Sequence, residues 1–227
     1  MSCWEKITEK MIKDGHRFYA ADNVSKYIEP HEKEILIDEC TRAFEFVLDS
    51  LLVDRKNDPN SQGTARRLAK MYYNEIFAGR YTPTPNATAF PNTGDDKYDG
   101  MLVVRAELRS ICSHHHQPVK GVAYIAIIPN EKLIGLSKYV RLAQHLARRG
   151  TLQEELCNRI VNSIREATGS DDVAVYISAT HGCMENRGIN ATSSLTQTTR
   201  LSGQFHDPDV KKEFFDNIAL QQSYGEK

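Results

Sequence analysis

Four histidines and two cysteines fall into two short segments about seventy residues apart, Cys112-Ser113-His114-His115-His116 and His181-Gly182-Cys183. Such a set constrains the fold strongly, because metal-ligating side chains act only when the chain returns them to one point. The rest of the sequence reads as a scaffold that joins the two segments and lines the space around them with positive charge.

Cys112 and His115 are spaced Cys-x-x-His, so one turn presents both to the same ion, and Cys183 supplies a third ligand from the later segment. Two thiolates and an imidazole suit zinc. Three protein ligands leave a fourth position for water, as in catalytic rather than structural zinc sites, and bound water then has its pKa lowered to about 7. Spacing leaves the choice of histidine open, because His114 and His116 lie within the same reach. The bland reading, half-buried thiols beside surface histidines, is weakened by the second cluster and by the run of three histidines. His114 and His181 each flank a presumed ligand. They are the candidates for acid and base, since an imidazole titrates near neutral pH. Nucleobase deaminases need His-x-Glu and Pro-Cys-x-x-Cys, and neither occurs in this sequence.

At 227 residues the chain suffices for one large domain, or a core with a helical appendage. A formal charge of −1 argues against a polyelectrolyte binder, so no nucleic-acid partner is expected. The N-terminus lacks an apolar signal segment. The longest apolar run, Val122 to Ile128, has seven residues, against the roughly twenty a membrane span requires. A cytoplasmic protein with no membrane partner is expected, and its five widely spaced cysteines are expected to be reduced.

Residues 1–29 read as a short amphipathic helix and an irregular polar arm. Pro30 opens a long helix with Ile35, Leu36, Cys40, Phe44 and Leu48 at helical spacing, ending near Val53, and Cys40 is expected in the core. Thr64 is expected to cap a helix from Ala65 to Phe77, and the stretch from Tyr81 to Gly100 to be a long loop. Met101 to Ile111 alternates as a strand, and Val119 to Ile128 is its antiparallel partner. Helices follow from Ser137 to about Arg149 and, capped by Thr151, to Thr168. Asp172 to Thr180 and about Leu195 to Phe205 are strands, and Asp207-Pro208 opens a closing helix. The reading is α+β, with helical residues 1–100 ahead of a catalytic region 101–227 ordered β-β-α-α-β-β-α and helices on one face of an antiparallel sheet.

Several motifs in one order resemble the GTP cyclohydrolase I family. They are Thr64-Ala65-Arg66-Arg67-Leu68-Ala69-Lys70-Met71-Tyr72, Cys112-Ser113-His114-His115, Ile134-Gly135-Leu136-Ser137-Lys138, Arg141, Gln153-Glu154 and His181-x-Cys183-x-x-x-Arg187-Gly188, covering roughly residues 35 to 218. The resemblance implies a tunnelling fold, in which sheets of several subunits form a barrel within a homodecamer and active sites lie between subunits. It implies Zn2+ on Cys112, His115 and Cys183, with GTP hydrolysed at guanine C8, formate released and 7,8-dihydroneopterin triphosphate formed. Residue by residue, His114 and His181 correspond to the proton-transfer pair and Glu154 to the guanine anchor, with Gln153 beside it. Ser137 and Lys138 correspond to positions near the ribose and phosphates, with Ser137 in the catalytic set. Arg67, Lys70, Arg141 and Arg187 correspond to groups that neutralise the triphosphate. Arginine forks suit this task, since the chain has no phosphate-cradling glycine motif.

Three positions depart from the family pattern. Ser113 stands where Cys-Glu-His-His is usual, His116 extends the histidine run, and Ala65 stands where proline commonly opens the helix. No presumed ligand or catalytic group is lost. Two rival readings remain: a relative that stops at the ring-opened formamidopyrimidine, and a non-catalytic oligomer with structural zinc and His116 as fourth ligand.

Overall fold

The structure is a computed structural model and describes residues 1–225. The chain divides into two compact units, residues 1–83 with 148–150, and residues 84–147 with 151–227.

The first unit is helical. Helix α1, Cys3–Lys13, starts from a reciprocal cap in which Ser2 Oγ accepts from Glu5 N and the Glu5 carboxylate accepts from Ser2 N. The Glu39 carboxylate accepts from Cys3 N (2.7 Å) and Trp4 N (3.1 Å), satisfying two more open donors and tying α1 to helix α2, Glu32–Ser50. Buried Cys3, Ile7 and Met11 pack with Val24 and Leu36. The arm after α1 is irregular, as its polar sequence predicts, yet well held: the Arg80 guanidinium donates to the carbonyls of Phe18, Tyr19, Ala20 and Asp22. Cys40, expected in the core, is only half-buried, on a helix that also leaves Ile35 and Val47 of the apolar spacing exposed.

Helix α3, Thr64–Met71, runs on as a π-helical turn, Tyr72–Ile76, before a short α4, Ala78–Tyr81. The expected cap is corrected. Gly63, with φ of 73°, is the N-cap, a backbone conformation that favours glycine, and Thr64 Oγ1 instead accepts from Arg67.

The second unit is built on a sheet. Strand β1, Ala89–Pro91, lies within the stretch expected to be a loop. Strands β2, Leu102–Ile111, and β3, Pro118–Ile127, form the expected hairpin, and a short β4, Lys132–Ile134, pairs with β1. Single three-residue strands carry little periodicity, and β1 owes its order to buried Asn92, whose amide donates to the carbonyls of Tyr98 and Asn130, each at 2.8 Å. Helices α5, Leu136–Ala147, and α6, Gln153–Thr168, precede β5, Val173–His181, a four-residue α7, Gly182–Glu185, β6, Thr196–Leu201, and α8, Pro208–Gly225. Thr151 does not cap α6. Leu152 holds the N-cap position, and the Thr151 hydroxyl donates to Glu155 Oε2 instead.

The main sheet is antiparallel throughout, in the order β2-β3-β5-β6. Side chains alternate across it. Ala123, Ile125 and Ile127 of β3 with Val173, Val175 and Ile177 of β5 face α5 and α6, where Tyr139, Leu142, Ile160 and Ile164 meet them. Burying a large aliphatic side chain in this way contributes roughly 1.5–3 kcal/mol. The opposite faces of the same strands, Tyr124, Ala126, Ala174 and Tyr176, pack on Phe205, Phe214 and Ile218. Helices on one face were expected, and α8 corrects this. The unbroken apolar run of β3 is that of a strand covered on both sides, and Val210, Phe214 and Ile218, four apart, supply the cover. At Gly121 the backbones of β3 and β5 pass so close that a Cβ would stand 2.1 Å from Ser178 O.

Candidate metal centre

Sheet register brings the two His/Cys segments together. The β2–β3 hairpin closes with Ile111 opposite Pro118, so residues 112–117 form its loop. In that loop Cys112 N donates to Gln117 O and His116 N to Cys112 O, each at 2.9 Å. His116 makes the tight reversal with φ of 50°. Strand β3 pairs with β5 so that Val119 lies opposite His181, which sets the end of β5 beside the base of the loop. Gly182 is buried against Pro118, where a Cβ would lie 3.1 Å from Pro118 Cδ, and the chain turns there into α7 carrying Cys183.

The outcome is a compact donor set. Ligand atoms of Cys112, His115 and Cys183 all lie within 4.8 Å of one another, with Cys112 buried, Cys183 half-buried and His115 exposed. Spacing had left His114, His115 and His116 as alternatives; among the described residues it is His115 that joins the two thiols. Burial and the adjacent Cys112 push the Cys183 thiol up, and nearby Arg187 opposes this. Two thiols and an imidazole at this separation fit a borderline-soft cation such as zinc.

Around this set, His114 is exposed, its ring edge-on to that of His115 with centroids 6.2 Å apart. Arg187 Nη1 lies 3.0 Å from His115 Nε2. His181 is half-buried at the end of β5, with Nε2 2.8 Å from Gln153 Oε1. Burial lowers its pKa from the ordinary histidine value, while the charges of Glu154 and Glu185 pull it back up. Glu154 is exposed in the first turn of α6, beside buried Gln153. Ser137 and Arg141 are exposed and Lys138 partly so, all in the first two turns of α5. Arg67 and Lys70 are exposed on α3 of the other unit. There the Arg67 guanidinium donates to Gln62 O, Asn60 O and Thr64 Oγ1.

Sequence reasoning did not foresee the Gln153–His181 link, the Arg187–His115 contact or the charge of Glu185 near His181. The first two join residues 28 and 72 positions apart, and no local spacing carries them. The threonine-rich character of β6 was the nearest signal for the partners of Gln153, described below.

A model of the GTP cyclohydrolase I family matches residues 40–219. A protein of Flavobacterium johnsoniae named GTP cyclohydrolase 1 is 38% identical over 190 residues, covering 83% of this chain and 84% of that protein. Namesakes from Aeromonas salmonicida and Vibrio cholerae are 40% identical over 175 residues and 37% over 192. They cover 76% and 83% of this chain, and 79% and 86% of their own lengths. The paired thiols, the one histidine that meets them and the imidazole beside them thus sit within a match spanning most of the sequence, and the chain belongs to the GTP cyclohydrolase I family.

Proposed function

We propose that this chain is a zinc-dependent GTP cyclohydrolase I, which opens the imidazole ring of GTP at C8, releases formate and yields 7,8-dihydroneopterin triphosphate. The observation that carries the reading is the meeting of Cys112, His115 and Cys183 within 4.8 Å, with His181 two positions before Cys183 in the chain. Those three residues would hold the metal. Zinc bound there supplies Lewis acidity and a water acidified to a pKa of about 7.

The chain's own groups divide the remaining work. His181 and His114 move protons between the attacked ring and solvent, a task that suits the imidazole group, which can both donate and accept a proton. The Glu154 carboxylate accepts the N–H groups of the guanine edge, which rejects bases lacking those donors by leaving its charge unpaired. Ser137 and Lys138 sit by the ribose and phosphates. Arg141, Arg187 and Arg67 neutralise the triphosphate through forked hydrogen bonds, and Lys70 does so as a point charge. The working form is a homodecamer in the cytoplasm, its sheets joined in a barrel and its sites completed by neighbouring subunits. Among the described residues no helix is long and apolar enough to cross a membrane.

The test is to incubate the zinc-loaded protein with GTP, assay formate and read the fluorescence of oxidised neopterin. Zinc bound without pterin or formate overturns the reading. Ser113 beside Cys112 favours one alternative, an enzyme that stops at the formamidopyrimidine, because an uncharged hydroxyl replaces the family's carboxylate at that point. Mass spectrometry of the product separates the two.

A further inference from the structure

Gln153 is 5% exposed, and both ends of its amide are engaged inside the protein. Its Nε2 lies 3.3 Å from Ile177 O, 3.1 Å from Thr196 O and 3.2 Å from Thr198 Oγ1, on strands β5 and β6. Its Oε1 lies 2.8 Å from His181 Nε2. The two backbone carbonyls only accept hydrogen bonds, so the NH2 end of the amide must face them, and the oxygen is left toward the imidazole. An amide oxygen only accepts. The proton of the neutral His181 ring must therefore sit on Nε2, and Nδ1 carries the lone pair.

We infer that Gln153 is a positioning residue, whose hydrogen bond orients the His181 ring and holds its hydrogen on Nε2, leaving the Nδ1 lone pair on the side away from the carboxamide. This rests on the reading above that His181 transfers protons. It differs from a substrate contact, because the carboxamide is already committed to two strands and to the histidine. The fold supplies the lock cheaply: Gln153 opens α6, and the strands that pin its amide are those α6 packs against. A histidine in the wrong tautomer offers a hydrogen where the reaction needs a lone pair, and orientation of this kind is what a third group supplies to a catalytic imidazole.

The test is an imidazole 15N spectrum of the zinc-loaded protein labelled at histidine, with the His181 signals identified from their loss in His181→Asn. A protonated Nε2 and a pyridine-type Nδ1 are expected. In Gln153→Met the tautomer preference is lost and kcat falls on the order of 10²-fold with KM little changed, the scale of a misplaced acid–base group. A wild-type ring protonated at Nδ1 overturns the inference, whether or not the variants fold. So does a Gln153→Met protein with an unchanged tautomer, which marks the residue as a strand clamp only. The spectrum needs no turnover. An Nε2–H ring in a protein that leaves GTP intact sinks the functional reading and leaves only the hold of Gln153 on the ring standing.

Discussion

Two imidazoles at the centre are held in opposite senses. His115 is exposed on the hairpin loop, and its Nε2 faces the Arg187 guanidinium at 3.0 Å. A guanidinium only donates, so that nitrogen presents a lone pair. His181 is half-buried at the end of β5, and its Nε2 faces an amide oxygen at 2.8 Å, so there the same nitrogen presents a hydrogen. One ring offers Nε2 to a cation and the other withholds it. The difference follows from location. The loop side is built from residues whose partners are other side chains, and the strand side from groups pinned by the backbone of two strands.

The largest effect should come from removing a thiol. Cys183→Ala leaves one thiolate and one imidazole, and the expected loss of zinc affinity exceeds the roughly 100-fold that outer partners of a metal site cost. Turnover of GTP is lost with it. Zinc content after dialysis and the formate assay check this together, and a Cys183→Ala protein that keeps stoichiometric zinc would break the assignment of the loop side as a metal centre.

Next is the strand side. His181→Ala should retain zinc while kcat falls on the order of 10²- to 10⁴-fold, the usual contribution of an acid–base group. Metal content and rate thus separate in this variant and fall together in Cys183→Ala. A His181 variant that lost zinc as well would erase the distinction between the two sides.

Arg187 touches the loop side without belonging to the donor set, so its removal should be milder. Arg187→Ala is expected to raise KM for GTP about 10- to 100-fold, the worth of one or two hydrogen bonds to a charged group. Zinc should stay bound. Arg187→Lys should recover only part of the loss, since an ammonium lacks the fork that fits phosphate oxygens. Steady-state kinetics at fixed ionic strength measure both.

Much of this was legible in the chain. The Cys-x-x-His spacing pointed to a donor group around Cys112 with the histidine left open, and the alternation of Leu102, Val104, Ala106 and Leu108 assigned one face of β2, which the structure packs into the core. The order of strands and helices in the second unit was also readable. What was not legible depends on contacts across the fold. The α8 cover on the far face needed the double burial of β3 and β5, which a single apolar run does not distinguish from a buried helix segment. Strand β1 is too short to alternate. Thr64 and Thr151 both look like helix caps, but Gly63 and Leu152 hold those positions and the two hydroxyls serve local partners. Gln153 and Glu154 are adjacent in sequence and opposite in burial, because residue 153 turns inward to the strands at the start of α6 while residue 154 stays at the surface.

The smallest effect should come from Ser113, one of the three positions read from the sequence as departures from the family pattern. Ser113 is half-exposed beside buried Cys112 in the hairpin loop. Ser113→Glu would place a carboxylate there, next to Cys112 and two positions from His115, whose Nε2 faces the Arg187 guanidinium. A neighbouring negative charge strengthens the hold of a site on a cation, and it also gives Arg187 a second partner. The two consequences oppose each other for GTP, because an arginine drawn to a carboxylate is less available to phosphate. Zinc affinity is therefore expected to rise and kcat/KM to change by less than about tenfold, below the usual cost of losing an outer partner. Competition with a chelator measures the first and the neopterin assay the second. A drop in zinc affinity would mean that the loop gains nothing from added charge, and that Arg187, rather than residue 113, governs how His115 is presented.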